Sequence, residues 1–157
     1  MIARQQGFTL IELMIAIAIF GLLVTFGAQL TKSWTDSAQQ NEAANLLKQG
    51  ISRAKATALR NPGGALSTSP AAVLCRSGQS LKLFSLADQA SLDCTSNTSV
   101  LWQASLPASA NLQVGGTNLT CIAFNSRGLP VNGSSTCATS TINVTAGSES
   151  AIPVEII

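Results

Sequence analysis

The sequence has no histidine and no tyrosine, and only 10% of its 157 residues carry charge. Without histidine, Ser-His-Asp and Cys-His nucleophilic sites are excluded, together with every metal site that needs an imidazole ligand. Nine basic against seven acidic residues leave a net charge of +2. No broad basic surface can form from so few, and non-specific nucleic-acid binding, which needs many neutralised phosphates, is disfavoured. The four cysteines contain no Cys-x-x-Cys pair, so a thiolate metal site lacks its usual spacing. Asp88 with Asp93, and Glu149 with Glu155, are near neighbours in sequence, but no pattern brings either pair to one pocket for hydrolytic chemistry. The expectation is a non-enzyme with no cofactor and no metal.

Apolar residues, by contrast, are abundant at 46% and unevenly spread. Leu13–Thr31 contains no charge, and at about 1.5 Å per residue such a run spans close to the hydrocarbon core of a bilayer. A secretory signal peptide would need a small-x-small cleavage site, and Phe26 breaks the best one, near Gly27–Ala28. Glu12 stands at the start of this apolar run, where a carboxylate costs up to about 2.5–3.5 kcal/mol at mid-membrane depth and less near the interface. It either snorkels to the interface or has a partner.

The residues around it, Gly7-Phe8-Thr9-Leu10-Ile11-Glu12-Leu13, resemble the processing site of type IV prepilins and type II secretion pseudopilins. The resemblance implies cleavage between Gly7 and Phe8 by a membrane prepilin peptidase and methylation of the new amine, making Phe8 an N-methylphenylalanine. It further implies that Glu12 is an assembly residue, pairing with the terminal amine of a neighbouring subunit. A desolvated pair of that kind fixes register more than it adds stability. Met1–Gly7, polar and carrying Arg4, reads as the leader.

Downstream, Ala44, Leu47, Ile51, Ala54 and Ala58 recur at spacings of three and four, marking one helical face. Asn61-Pro62-Gly63-Gly64 ends the helix, with basic residues in the preceding turns. The expected helix therefore runs from Phe8 to Arg60, greasy in its first half and amphipathic in its second. After it come Ser, Thr, Gly and Asn with short apolar bursts. Strands are expected at 72–76, 81–86, 100–104, 111–114, 120–125, 141–145 and 152–157. The fold class is α+β: a long N-terminal helix whose amphipathic half packs on a small antiparallel sheet. Four segments follow: 1–7 leader, 8–32 membrane or filament-core helix, 33–61 amphipathic half, and 62–157 a periplasmic β-rich head.

Cys75, Cys94, Cys121 and Cys137 all fall in the head, and their even number beyond a membrane segment suggests disulfides in an oxidising compartment. Of three possible connectivities, Cys75–Cys94 with Cys121–Cys137 is preferred because each pair closes a local loop. Trp34 suits an interfacial anchor and Trp102 a core position. Arg76, Lys82 and Arg127 are expected on a solvated face. The Asn-x-Ser/Thr sequons that begin at Asn97, Asn118, Asn132 and Asn143 are expected by chance in so polar a head.

A second segment, Cys121-Ile122-Ala123-Phe124-Asn125-Ser126-Arg127-Gly128-Leu129-Pro130, is similar to the strand–turn region of the minor pilins and pseudopilins grouped as the GspH/FimT family, which includes FimU. That resemblance implies a minor pilin held in the bacterial inner membrane by one pass and later placed at the tip of a type IV pilus. Its implied partners are other minor pilins, the major pilin, the prepilin peptidase, the inner-membrane assembly platform and, before assembly, membrane lipid. The implied outputs are pilus biogenesis, twitching motility, adhesion and DNA uptake. Two alternatives share the N-terminal chemistry: a type II secretion pseudopilin for protein export, and a DNA-binding pilin for natural transformation. The DNA reading is disfavoured because the C-terminus, from Ser148 to Ile157, is acidic and apolar where DNA-binding relatives are basic.

Overall fold

The computed structural model describes residues 7–87, 93–132 and 137–156. By backbone contacts the chain divides into two units, Met1–Thr35 and Asp36–Ile157. One helix, α1 (Leu10–Arg60), supplies the first unit and opens the second.

In the first unit every described side chain from Gly7 to Gly27 is exposed. A helix this apolar all round has no face to choose, and no described residue of its own unit covers it. Its hydroxyl groups are satisfied within the helix. Thr25 Oγ1 donates to the Leu22 carbonyl at 2.8 Å and Thr31 Oγ1 to the Gly27 carbonyl at 3.0 Å. Such back-bonding lets threonine sit where water is absent.

In the second unit the anticipated face is the buried one. Ala43, Ala44, Leu47, Ile51, Ala54 and Ala58 are each at most 6% exposed. The alanines bring the helix backbone close to the sheet, and Gly50 brings it closer still. A Cβ there would stand 2.9 Å from Leu74 Cδ2 and 3.1 Å from Trp102 Cζ3. Asn61 ends α1 in the left-handed region, with φ 43°. Its amide donates back to Thr57 and Ala58, and its side chain both donates to the Ala65 carbonyl and accepts from the Ala65 amide. An asparagine stop of this kind satisfies helix carbonyls that would otherwise be orphaned.

Nine strands follow among the described residues: β1 (Pro70–Ser77), β2 (Ser80–Ser85), β3 (Val100–Ser105), β4 (Ala110–Val114), β5 (Thr117–Asn118), β6 (Cys121–Asn125), β7 (Pro130–Val131), β8 (Ile142–Ala146) and β9 (Ile152–Val154). They form two antiparallel sheets rather than the single sheet expected, in the orders β3-β2-β1-β6-β7 and β5-β4-β8-β9. The seven anticipated strands are present within a few residues of their expected ends. The last stops at Val154, and β5 and β7, of two residues each, are additional because so short a strand has no periodicity to read. The fold is α+β and type IV pilin-like.

Side chains of the helix-facing core come from both sheets, among them Leu74, Leu81, Ile122 and Phe124 from the first and Leu112, Ile142 and Val144 from the second. Gln40, 4% exposed, reaches from α1 to the second sheet, donating to the Val144 carbonyl at 2.9 Å and the Ser150 carbonyl at 2.6 Å. Arg76 at the end of β1 ties the two sheets together. Its Nη1 donates to Asn111 Oδ1 and to the Leu112 carbonyl, each at 2.9 Å. Lys82 is 7% exposed, with Nζ donating to Asn97 Oδ1 at 2.7 Å. The solvated face expected for these two cations is thus corrected: each reaches acceptors on a distant segment of chain that folds back over it.

A second, smaller core lies on the reverse face of the five-stranded sheet, built from Val73, Cys75, Phe84, Leu86, Cys121, Ala123 and Cys137. Both disulfides sit here, Cys75–Cys94 and Cys121–Cys137. Each fastens a strand to a later loop. With Cys94 and Val131 packed against this cluster, the loops cover a face that would otherwise be wet, and β1 is buried on both sides.

The double substitution Cys121→Ser, Cys137→Ser should lower head stability by about 2–4 kcal/mol, measured by thermal unfolding of the full chain in detergent. Gly63→Ala should cost about 1–3 kcal/mol by overpacking, because a Cβ there meets the Leu86 backbone carbonyl, which cannot rotate away. An unchanged melting temperature for Gly63→Ala would show that the turn relaxes freely.

Candidate functional site

The four residues of the candidate site, Gly7, Phe8, Thr9 and Glu12, lie in order along the start of the first unit. Gly7 and Phe8 precede the helix in irregular backbone, and Phe8 is 87% exposed. The bond between them thus lies outside the helix, beside an exposed side chain.

Helix α1 begins at Leu10 and not at Phe8 as expected. The reason is Thr9. Its hydroxyl accepts from the Glu12 amide at 3.4 Å, while Glu12 Oε2 accepts from the Thr9 amide at 3.5 Å and from the Thr9 hydroxyl at 3.4 Å. The Thr9 carbonyl takes the first helical bond, from the Leu13 amide at 3.2 Å. Thr9 is the N-cap and Glu12 the third helical residue of a reciprocal capping box. The carboxylate also sits at the positive end of the helix dipole. Sequence reasoning gave Glu12 a partner outside the chain and overlooked this partner within it, although Thr-x-x-Glu before an apolar run is a readable signal.

This geometry has a chemical consequence. Scission after Gly7 would leave a cationic amine on Phe8, one residue before the cap and four before the carboxylate. The capping bonds are long, so the carboxylate holds its own helix start while retaining oxygen lone pairs for a stronger, charged donor. Among the described residues no group of histidine, cysteine or carboxylate side chains that could hold a metal ion is present.

The head residues singled out from sequence serve structure. Phe124 is fully buried, and Gly128 makes the anticipated turn with φ 75°. Asn125, which the sequence did not single out by itself, organises that turn. It is 7% exposed, donates to the Ser67 carbonyl at 2.9 Å, and accepts from the amides of Arg127 and Leu129 at 3.0 Å. Arg127 is exposed. Desolvation holds the Arg76 guanidinium below its ordinary value. Asp93 is held below the usual carboxylate range first by the Thr95 hydroxyl, then by the Thr95 amide, with a smaller contribution from Lys82. Asp88 and the leader residues Met1–Gln6, Arg4 among them, lie outside the described residues. Trp34 is 83% exposed, and Trp102 is only half-buried, lying at the rim between α1 and β3 with Arg53 5.5 Å from its ring centre.

Residues 2–28 match the family model of the prokaryotic N-terminal methylation motif. The matched segment is type IV prepilin-like. That match spans Gly7, Phe8, Thr9 and Glu12 and most of the exposed apolar helix, and it ends before the head. No curated protein and no solved structure matches the chain. The match covers 27 of the 157 residues, and the helix that begins within it is long and apolar enough to cross a membrane.

Thr9→Ala should cost the first helical turn about 1 kcal/mol. The check is amide hydrogen exchange of the full chain in detergent: faster exchange at Glu12 and Leu13, with Leu47 unchanged. Equal rates in both proteins would dismiss the cap.

Proposed function

We propose that the chain is a minor pilin of a type IV pilus, of the GspH/FimT kind, which primes filament assembly at the tip. The observation that carries this reading is the exposed Gly7–Phe8 bond set just ahead of a capped, uncovered apolar helix whose first turn holds Glu12. Before assembly the helix rests in the inner membrane as a single pass, with the head in the periplasm, an oxidising compartment suited to two disulfides. The prepilin peptidase cuts after Gly7 and the new Phe8 amine is methylated. The helix then leaves lipid for the bundle of helices at the filament centre. That transfer exchanges one apolar environment for another and costs little hydrophobic free energy.

Glu12 makes the transfer directional. In lipid its charge is tolerated near the interface; inside a helical bundle it needs a cation, and the amine of the neighbouring subunit supplies one. Pairing at a single depth sets the axial register of adjacent helices. Other minor pilins, the major pilin and the assembly platform are the partners this scheme requires. The internal engagement of Arg76 and the burial of Lys82 remove two of the head's few cations from the surface, which weighs against a DNA-receptor role. Pseudopilins of type II secretion share the same N-terminal chemistry, and a deletion mutant distinguishes them: lost piliation and twitching supports the pilus, whereas lost exoprotein secretion with normal piliation overturns it.

Mass spectrometry of the mature protein should find N-methylated Phe8 at its start; a first residue near Gln29 would mean an ordinary signal peptide. Glu12→Ala and Glu12→Gln should both be processed and both enter filaments poorly. Glutamine keeps the capping box and loses only the charge, so normal incorporation of Glu12→Gln would assign Glu12 to capping and dismiss the pairing with the amine.

A further inference from the structure

The two sheets of the head have four outer edges, and three are blunted. β5 and β7 are two residues long, β7 contains Pro130, and β9 carries Pro153 at the middle of its three residues. Short strands and edge prolines are the devices by which proteins keep sheet edges from pairing with other chains. The fourth edge is different. β3, Val-Leu-Trp-Gln-Ala-Ser over Val100–Ser105, is six residues long, uncharged and free of proline, and among the described residues no strand pairs with its outer side.

The register says which groups are on offer. β3 aligns with β2 through Ser80↔Ser105, Lys82↔Gln103 and Leu83↔Trp102, and the Leu106 amide donates to the Gln79 carbonyl. In an antiparallel ladder hydrogen-bonded pairs alternate, so Trp102 and Ala104 bond inward and the backbone N–H and C=O groups of Gln103 and Ser105 face away from β2. The register shift between Leu83 and Phe84 leaves Leu101 without a partner on β2. It falls beside Trp102 in a groove of about 290 Å³ that also includes Arg53, Arg60 and Leu83. Leu101 is 56% exposed. The groove thus joins an open strand edge, an apolar floor and two guanidinium groups, with no acidic residue lining it.

We propose that the β3 edge is a strand-acceptor site for an extended, acidic segment of another protein, which adds to the five-stranded sheet through Gln103 and Ser105 and sets a carboxylate against Arg53 and Arg60. Main-chain bonds supply affinity in this mode, and side-chain pockets supply selectivity. Charge decides the occupant. A second copy pairing through its own β3 would bring its Arg53 and Arg60 towards these two, a like-charge contact that is unfavourable, whereas an acidic strand gains charge-assisted bonds. The site belongs to the head and does not rest on the reading of the N-terminus.

The test uses the full chain in detergent micelles and a fluorescein-labelled peptide alternating Val with Glu and Thr. Saturable binding is expected, together with slowed amide exchange at Gln103 and Ser105. Replacing Glu by Lys in the peptide should weaken binding about tenfold, and the Arg53→Ala, Arg60→Ala protein should lose that preference. Gln103→Pro, which removes an outward N–H and no bond to β2, should weaken binding about tenfold as well. Because that variant can disturb the edge, a peptide with N-methylated amides on its protein-facing side probes the same main-chain bonds on the unaltered chain and should not bind. Several results overturn the proposal: no saturable binding up to about 1 mM, undiminished binding of the N-methylated peptide, or a dimer in the absence of peptide that Gln103→Pro dissolves. Competition by oligothymidylate without loss of the Glu-over-Lys preference supports it; tighter binding of oligothymidylate than of the acidic peptide assigns the groove to nucleic acid and overturns it.

Discussion

The head depends on one seam, the line of Ala43, Leu47, Ile51, Ala54 and Ala58 along the second half of α1. Among the described residues the unit from Asp36 onward has no other helix. Two antiparallel sheets each need an apolar face covered, and this stripe is what covers them both. Small side chains towards its two ends flank the larger Leu47 and Ile51, and at Gly50 between those two the backbone comes so near the first sheet that a Cβ would meet Leu74. The sheets do not share a ladder. They are joined by Arg76, by the Gln79 side chain on the Ala108 and Ala110 carbonyls, and by this common helix.

The other half of the same helix obeys the opposite rule. No described residue of its own unit buries it, and its threonine hydroxyls bond back to helix carbonyls, which removes their need for water. An uncovered apolar surface of this length is stable only in lipid or against other apolar helices. Glu12 is compatible with both because of where it stands. At the third helical position it closes the helix start through Thr9, and the helix dipole favours its charge. A carboxylate deeper in the run would have neither support. In the proposed processing, the same position would put it four residues from the amine left by scission after Gly7.

Much of this was legible in the sequence, and the reasons differ by element. The helix seam and its Asn61 stop were readable because a 3.6-residue period and a terminating Asn-Pro-Gly-Gly are local signals. The strands were readable as positions, because alternation and turns are local too. Their division into two sheets was not, since strand order depends on contacts distant in sequence. Lys82 and Arg76 were misjudged for the same reason: whether a cation is solvated depends on loops that return to it, and Asn97 and Asn111 lie far along the chain. Gln40 shows this most plainly, its partners being more than a hundred residues away. At the candidate site the Gly7–Phe8 and Glu12 pattern was explicit, while the role of Thr9 passed unread although its spacing to Glu12 announced it.

Scarcity of charge makes the placement of what remains informative. Sixteen charged side chains serve the 157 residues, and several are committed to holding the fold: Glu12 at the helix start, Arg76 between sheets, Lys82 beneath the loop that Cys94 fastens. Arg53, Lys55 and Arg60 are grouped in the last turns of α1; the helix dipole favours Arg60 in the final turn, and Arg53 and Lys55 lie over aromatic rings of the first sheet. Fold requirements alone explain Lys55 over Phe124, since that ring is core. They do not explain why Arg53 and Arg60 flank a rim where Trp102 and Leu101 remain open and the adjoining strand edge lacks the proline that closes two of the others. In a molecule that covers the reverse face of its first sheet with disulfide-fastened loops, an uncovered apolar edge beside paired guanidiniums is a cost to solubility that a bound strand would remove.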